Sequence, residues 1–178
     1  MPESENIILH PICLRDAEDI VRWRNQEFVK QRFIYQKDFT TESQRQWIKT
    51  KVDSGEVVQF IIEYKKDYKR IGSVYLRDID YSNNKAEYGI FLGEKDYLGK
   101  GIGCETAKLV LEYAFHTLKL NKVFLRVLAD NIRAIKSYEK AGFKTEGYFK
   151  QDAMVQGEYK DVIFMGISLA EYVCQFPA

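Results

Sequence analysis

Tyr97-Leu98-Gly99-Lys100-Gly101-Ile102-Gly103-Cys104-Glu105 follows a strand-like run, Glu87-Tyr88-Gly89-Ile90-Phe91-Leu92, and precedes an amphipathic stretch that predicts a helix to about Leu118. Glycines on three alternate positions let the backbone turn tightly with no Cβ in the way. They also leave a row of N–H groups at a helix start, where unpaired donors and the helix dipole both favour an anion. Lys100 adds a point charge to that cradle. The stretch reads as a site for a phosphate-bearing cofactor, although a tight turn with no ligand would carry the same glycines.

Two familiar phosphate loops do not fit. A Walker A loop needs Gly, four residues, then Gly-Lys-Ser/Thr; here Glu94 stands at the first position and Gly101 replaces the hydroxyl residue. The dinucleotide fingerprint Gly-x-Gly-x-x-Gly would place its last glycine at Cys104 or Thr106, depending on where it starts.

Working outward, Ile7 to Leu14 predicts a strand, and Asp16 is a candidate N-cap for a helix ending near Asn25. Thr41 with Gln44 suggests a capping box for a second helix, carried by Trp47, Ile48 and Val52 and closed at Gly55. Val57–Tyr64 and Arg70–Ile79 predict a hairpin, and Ala86–Leu92 the strand that enters the glycine loop. Lys122–Ala129 predicts a buried strand. Asp130-Asn131 caps a short helix, Ile132–Ala141, which Gly142 stops. Phe143–Gln151 and Tyr159–Leu169 complete a mixed α/β (α+β) fold around one central, mostly antiparallel sheet flanked by helices. One domain of 1–178 is expected, with a core of about 7–169 and a tail, 170–178, that packs on a partner or frays.

Composition narrows the function classes. The chain has 178 residues, enough for a full hydrophobic core, and 27 basic against 26 acidic side chains. Such balance gives no reason to expect nucleic acid or a membrane surface as partner. Three cysteines, Cys13, Cys104 and Cys174, are too few and too scattered for a disulfide framework or a paired metal motif. No metal site is expected. The acidic start, Met1-Pro2-Glu3-Ser4-Glu5, has no apolar signal region, and no apolar run approaches a membrane span, so a cytoplasmic protein is expected.

A second stretch, Asn131-Ile132-Arg133-Ala134-Ile135-Lys136-Ser137-Tyr138-Glu139-Lys140-Ala141-Gly142-Phe143, lies one helix and one strand beyond the first. By periodicity Tyr138 is a candidate core tyrosine and Asn131 a helix cap. Together the two stretches resemble the GNAT superfamily of acetyl-coenzyme A-dependent N-acetyltransferases. Its pyrophosphate loop, Gln/Arg-x-x-Gly-x-Gly/Ala, is matched at Gly101 and Gly103. Leu98 departs from the usual Gln or Arg. Its Asn-x-x-Ala-x-x-x-Tyr-x-x-x-Gly-Phe segment is matched throughout.

The resemblance implies acetyl-CoA as cosubstrate. It implies contacts from the backbone of Phe91, Leu92 and Gly93 to pantetheine, from Leu98, Gly99, Lys100, Gly101, Ile102, Gly103 and Cys104 to the phosphates, and from Asn131, Ala134, Ser137 and Lys140. Tyr138 becomes the general acid for the departing thiolate, since a phenol is protonated at neutral pH. Glu87 is the candidate base, acting through a water; a solvated strand-edge glutamate is the competing reading. Cys104 is assigned to the start of a packed helix, so direct attack by the amine is expected.

The ending Gly157-Glu158-Tyr159-Lys160-Asp161-Val162 is similar to the GNAT branch of ribosomal-protein N-terminal, spermidine and nucleotide-linked amino-sugar acetyltransferases. Trp23-Arg24-Asn25, Phe28-Val29 and Trp47 resemble the amino-sugar enzymes. On that resemblance Trp23, Arg24 and Asn25 meet the acceptor, Arg24 on a diphosphate or carboxylate and Trp23 or Trp47 stacking on a ring. The alternative makes the tryptophans core anchors and Arg24 a surface charge. A peptide N-terminus as acceptor, a non-catalytic acyl-CoA-binding module, and a homodimer through a sheet edge or the tail all stay open.

Overall fold

Period-two alternation decides this architecture. In β2 (Val58–Tyr64), Phe60 and Ile62 enter one core cluster while Ile61 enters another on the opposite face. The computed structural model describes residues 1–177, and its seven strands form one sheet in the order β1-β2-β3-β4-β5-β7-β6. The others are β1 (Ile7–Pro11), β3 (Lys69–Asp80), β4 (Lys85–Leu92), β5 (Lys122–Leu128), β6 (Lys144–Val155) and β7 (Glu158–Ser168). Only the β4–β5 pair is parallel.

That pair opens the site. It is hydrogen-bonded only from Lys85–Glu87 against Lys122–Phe124; beyond it the strands part, and 88–92 and 125–128 face each other across a gap. α4 (Ile102–Glu112), continued to Thr117 by a wider turn, and α5 (Ile132–Lys140) cover one face of the sheet. α1 (Ala17–Arg24), the single turn α2 (Glu27–Lys30) and α3 (Thr41–Trp47) cover the other. On β4 the residues Ala86, Tyr88, Ile90 and Leu92 point to α4 and α5, which leaves Glu87, Gly89 and Phe91 on the α1–α3 face.

Several expected details differ. Asp16 lies in a preceding 3-10 turn with helical dihedrals and accepts the Cys13 N–H at 2.8 Å, so it caps that turn and not α1. The capping box of α3 is one residue earlier than expected: Thr40 and Ser43 exchange bonds of 3.1 and 3.0 Å. Asn131 occupies the N-cap position of α5 without a side-chain bond. β6 runs four residues past Gln151, and β1 stops at Pro11.

The tail carries one more helix. α6 (Leu169–Gln175) is capped by Ser168 and Glu171 and seats Tyr172 on Phe115, ring centroids 5.0 Å apart. Ala178 lies outside the described residues. Among the described residues no helix is long and apolar enough to cross a membrane, and no cluster of three His, Cys, Asp or Glu could hold a metal ion.

Candidate active site

The gap between β4 and β5 continues into a cleft of about 910 Å³. At one end the cleft is lined by Leu98, Gly99, Gly101, Ile102, Gly103 and Cys104, and by Asn131, Ala134, Ser137, Tyr138 and Lys140 of the second stretch. Gly101 is the N-cap of α4 at φ +81°, a left-handed conformation that only glycine adopts cheaply. A Cβ built at Gly99 or Gly101 meets no atom within 4 Å, so the turn is open in front of it. The first N–H groups of α4 have no intrahelical acceptor and point into that space. The cradle therefore fits a pyrophosphate, and Lys136 and Lys140 at its side add positive charge.

Two of the expected cofactor contacts lie off the cleft wall. Gly93 is absent from the cleft wall: its N–H donates to the Ile71 carbonyl at 2.8 Å and its own carbonyl accepts from Gln26 at 3.1 Å. Lys100 also lies off the wall, its ammonium 5.0 Å from the centre of the Tyr97 ring. Phe91 and Leu92 do line the cleft, at the unpaired edge of β4.

Tyr138 reaches the cleft from α5 and packs edge-on against Tyr88, centroids 6.0 Å apart. Burial pushes its phenol above its ordinary value, with Tyr75 adding to the effect, so it stays protonated at neutral pH. Tyr88 is buried, and among the described residues its hydroxyl has no partner. That orphaned group on the cofactor side is a further polar contact available to a bound molecule.

Glu87 is neither solvated nor at a sheet edge. It is 6 % exposed on a central strand, where the β4–β5 ladder ends. Arg77 reaches Oε2 through Nε at 3.1 Å and Nη2 at 3.0 Å; Arg126 reaches Oε1 at 3.0 Å and Oε2 at 3.3 Å. Two guanidinium groups thus occupy most of its lone pairs, and the residue still lines the cleft.

At the other end the acceptor residues separate. Trp23 is fully buried, donates its indole N–H to Glu94 at 2.9 Å and packs edge-on against Phe91, so it offers no face to a substrate. Asn25 points away from the cleft and clasps Phe39, donating to its carbonyl at 2.8 Å and accepting its N–H at 2.9 Å. It fixes the segment that walls the cleft.

Arg24 does line the cleft, at only 8 % exposure, which also corrects the surface-charge reading. Its guanidinium stacks 3.4 Å above the Phe33 ring, near Phe39 and Phe91, and its buried Nη1 has no partner among the described residues. Burial is the cause that pulls it down to about 10. Tyr75, Arg77, Arg126, Phe33 and Phe39 complete this end. None was picked out from sequence; the Tyr75/Arg77 alternation on a strand was the available signal.

Comparison with known proteins places this geometry. The family model described as "Acetyltransferase (GNAT) domain" matches residues 6–144. The spermidine N(1)-acetyltransferase of Escherichia coli K12 is 28 % identical, over 98 % of this chain and 92 % of the relative. A probable N-acetyltransferase of Bacillus subtilis strain 168, YjcK, is 31 % identical, over 90 % and 93 %. Among solved structures, spermidine N-acetyltransferase from Vibrio cholerae in complex with CoA and spermine superposes with a TM-score of 0.89 at 24 % identity, over 96 % of this chain and 99 % of that one. Cradle, splayed strands and family match agree: the chain belongs to the GNAT family of N-acetyltransferases, whose cosubstrate is acetyl-CoA.

Proposed function

We propose that this enzyme acetylates the primary amine of an anionic acceptor, a nucleotide-linked amino sugar. The charge of the acceptor end carries the reading. Arg24, Arg32, Lys37, Arg77 and Arg126 line it, against the carboxylates of Asp38, Asp78 and Glu87. Each carboxylate already has a cation: Asp38 has Lys30 at 2.7 Å, Asp78 has Arg77 at 3.6 Å, and Glu87 has two arginines. A polyamine, the acceptor in the names of the Escherichia coli and Vibrio cholerae relatives, needs carboxylates free to meet its ammonium groups. A phosphate or carboxylate beside Arg24 instead meets a buried, unpaired guanidinium, with aromatic rings alongside for a base or sugar.

Acetyl-CoA bound along the glycine cradle supplies the thioester. The β4 edge at Phe91 and Leu92 and the start of α4 hold it in place. As the amine nitrogen bonds to the acetyl carbon and the carbon–sulfur bond breaks, the Tyr138 phenol gives its proton to the sulfur. The nitrogen loses one proton to water, and Tyr138 regains one from water. Glu87 holds Arg77 and Arg126 in place rather than taking the proton.

The test is coenzyme A thiol release with UDP-linked amino sugars, peptides with Ala or Ser N-termini, and spermidine. Release with an amino-sugar nucleotide, lost in Tyr138→Phe, is expected. Release with spermidine alone overturns the acceptor. Acetyl-CoA binding without turnover on any amine points to the binding-module alternative.

A further inference from the structure

Tyr75 on β3 lies in register with Gly89 on β4. A Cβ at Gly89 would come within 2.3–2.5 Å of the tip of the Tyr75 ring, including its hydroxyl at 2.4 Å. Glycine is therefore required there for close approach, and it lets the phenol lie across the backbone of β4 on the α1–α3 face. This places the hydroxyl beside the point where β4 leaves β5, midway along the strand between Glu87 and Phe91. It lines the cleft and makes no hydrogen bond within the described protein.

The charged groups that bear on it are Arg24 from α1, Arg77 from its own strand, Glu87 from β4 and Arg126 from β5. Three are cations, and the one anion is paired with two of them. Burial outweighs their pull and keeps the phenol neutral. A carboxylate at this point would hold an ammonium, which has no lone pair to attack with. A neutral oxygen among guanidinium groups suits the free amine.

We propose that Tyr75 is the positioning residue for the acceptor: its phenol oxygen accepts an N–H of the incoming amine and aims the nitrogen lone pair at the thioester carbon. The proposal rests on acetyl transfer in this cleft and is independent of whether the acceptor is a nucleotide sugar. Glycine at 89 is the second half of the device, since any side chain there displaces the ring.

The experiment uses two amines, n-propylamine at high concentration and the UDP-linked amino sugar, with acetyl-CoA saturating. Tyr75→Phe keeps the ring and removes the hydroxyl. An about tenfold fall in kcat/KM for propylamine is expected, as for one lost hydrogen bond in a buried site, with the acetyl-CoA dissociation constant and melting temperature unchanged. Gly89→Ala is expected to fall similarly in the native background and to add little in Tyr75→Ala, because the group it displaces is gone.

Equal propylamine turnover in Tyr75→Phe and the unaltered enzyme overturns the proposal. So does a melting temperature that falls in step with activity, which assigns Tyr75 to packing. Tyr75-dependent turnover of propylamine with no turnover of the nucleotide sugar supports the positioning role and removes the acceptor assignment. Failure of the unaltered enzyme on every amine overturns both.

Discussion

Replacing Arg24 by methionine should make the free enzyme more stable and its acceptor site worse. Burial brings the guanidinium down from its ordinary value to about 10. Holding it charged in the fold at neutral pH therefore costs about 3 kcal/mol relative to the unfolded chain. The cost is present wherever the folded group stays protonated, that is at every pH below about 10, so it is constant from pH 6 to 9. Stacking on Phe33 at 3.4 Å returns about 1–2 kcal/mol. Methionine keeps the apolar stem among Phe33, Phe39 and Phe91 and removes the uncompensated charge. The net gain is about 1–2 kcal/mol, or a rise in Tm of roughly 3–6 °C for a chain of this size. The acceptor loses a charge-assisted hydrogen bond, so its KM should rise about 10- to 100-fold, with the acetyl-CoA KM unchanged. Thermal denaturation and steady-state kinetics on the same preparations read both. A lower Tm with unchanged acceptor KM would refute the reasoning, because Arg24 would then be an ordinary packing residue.

Tyr138→Phe should lower kcat by about 10²-fold or more while calorimetry finds acetyl-CoA binding intact; loss of both would assign the residue to packing. Glu94 is pushed up by burial, but hydrogen bonds from Trp23, Arg22 and Lys69 outweigh that and bring it to about 2. Its stabilisation is full above pH 4.5 and fades as pH falls toward about 2, so Glu94→Gln should lower Tm at pH 7 and converge with the native curve in acid. Glu87→Gln leaves Arg77 and Arg126 without their shared anion and should cost about 3–5 kcal/mol of stability. Its pH–rate profile should keep the native shape, and loss of the acidic limb would restore Glu87 as the base.

The strands and helices were legible because their burial repeats every two or every 3.6 residues, as in Phe60/Ile61/Ile62 and along α4. The glycine cradle was legible for a different reason: left-handed backbone at Gly101 selects its own residue type. α6 was missed because two turns are too short to show a period, and its stability comes from Tyr172 meeting Phe115, a contact distant in sequence. The acceptor end resisted reading altogether. Trp23 and Arg24 are neighbours on one helix, about 100° apart around its axis, so they face different surroundings. Nothing local tells which turns to the cleft. Arg24 is buried only because 33–39 folds over it, and that segment is held by Asn25 through backbone bonds to Phe39. Asn25 itself stays off the cleft and holds that wall in place.

The distribution of polar groups over this cleft separates scaffold from function. Glu87 sits where the parallel ladder ends and binds Arg77 from β3 and Arg126 from β5, so one buried anion ties the two arms of the fork. A fully paired network of this kind fixes geometry but has little left to offer a substrate. Among the described residues, the buried cleft atoms left without protein partners are the Arg24 Nη1 and the Tyr88 hydroxyl, and Tyr75 also lines the cleft. Those two buried atoms cost stability in the free protein, since buried polar groups are normally satisfied. They also divide by position: Tyr88 on the α4–α5 face of β4, Tyr75 and Arg24 on the α1–α3 face. On the proposed reading, a cosubstrate between the strands would meet the first and an acceptor on the α1 side the other two. The same charge that makes Arg24 expensive in the empty cleft makes it selective in the filled one. An anion would recover the desolvation cost that an ammonium would increase, and the proposed acceptor rests on that asymmetry.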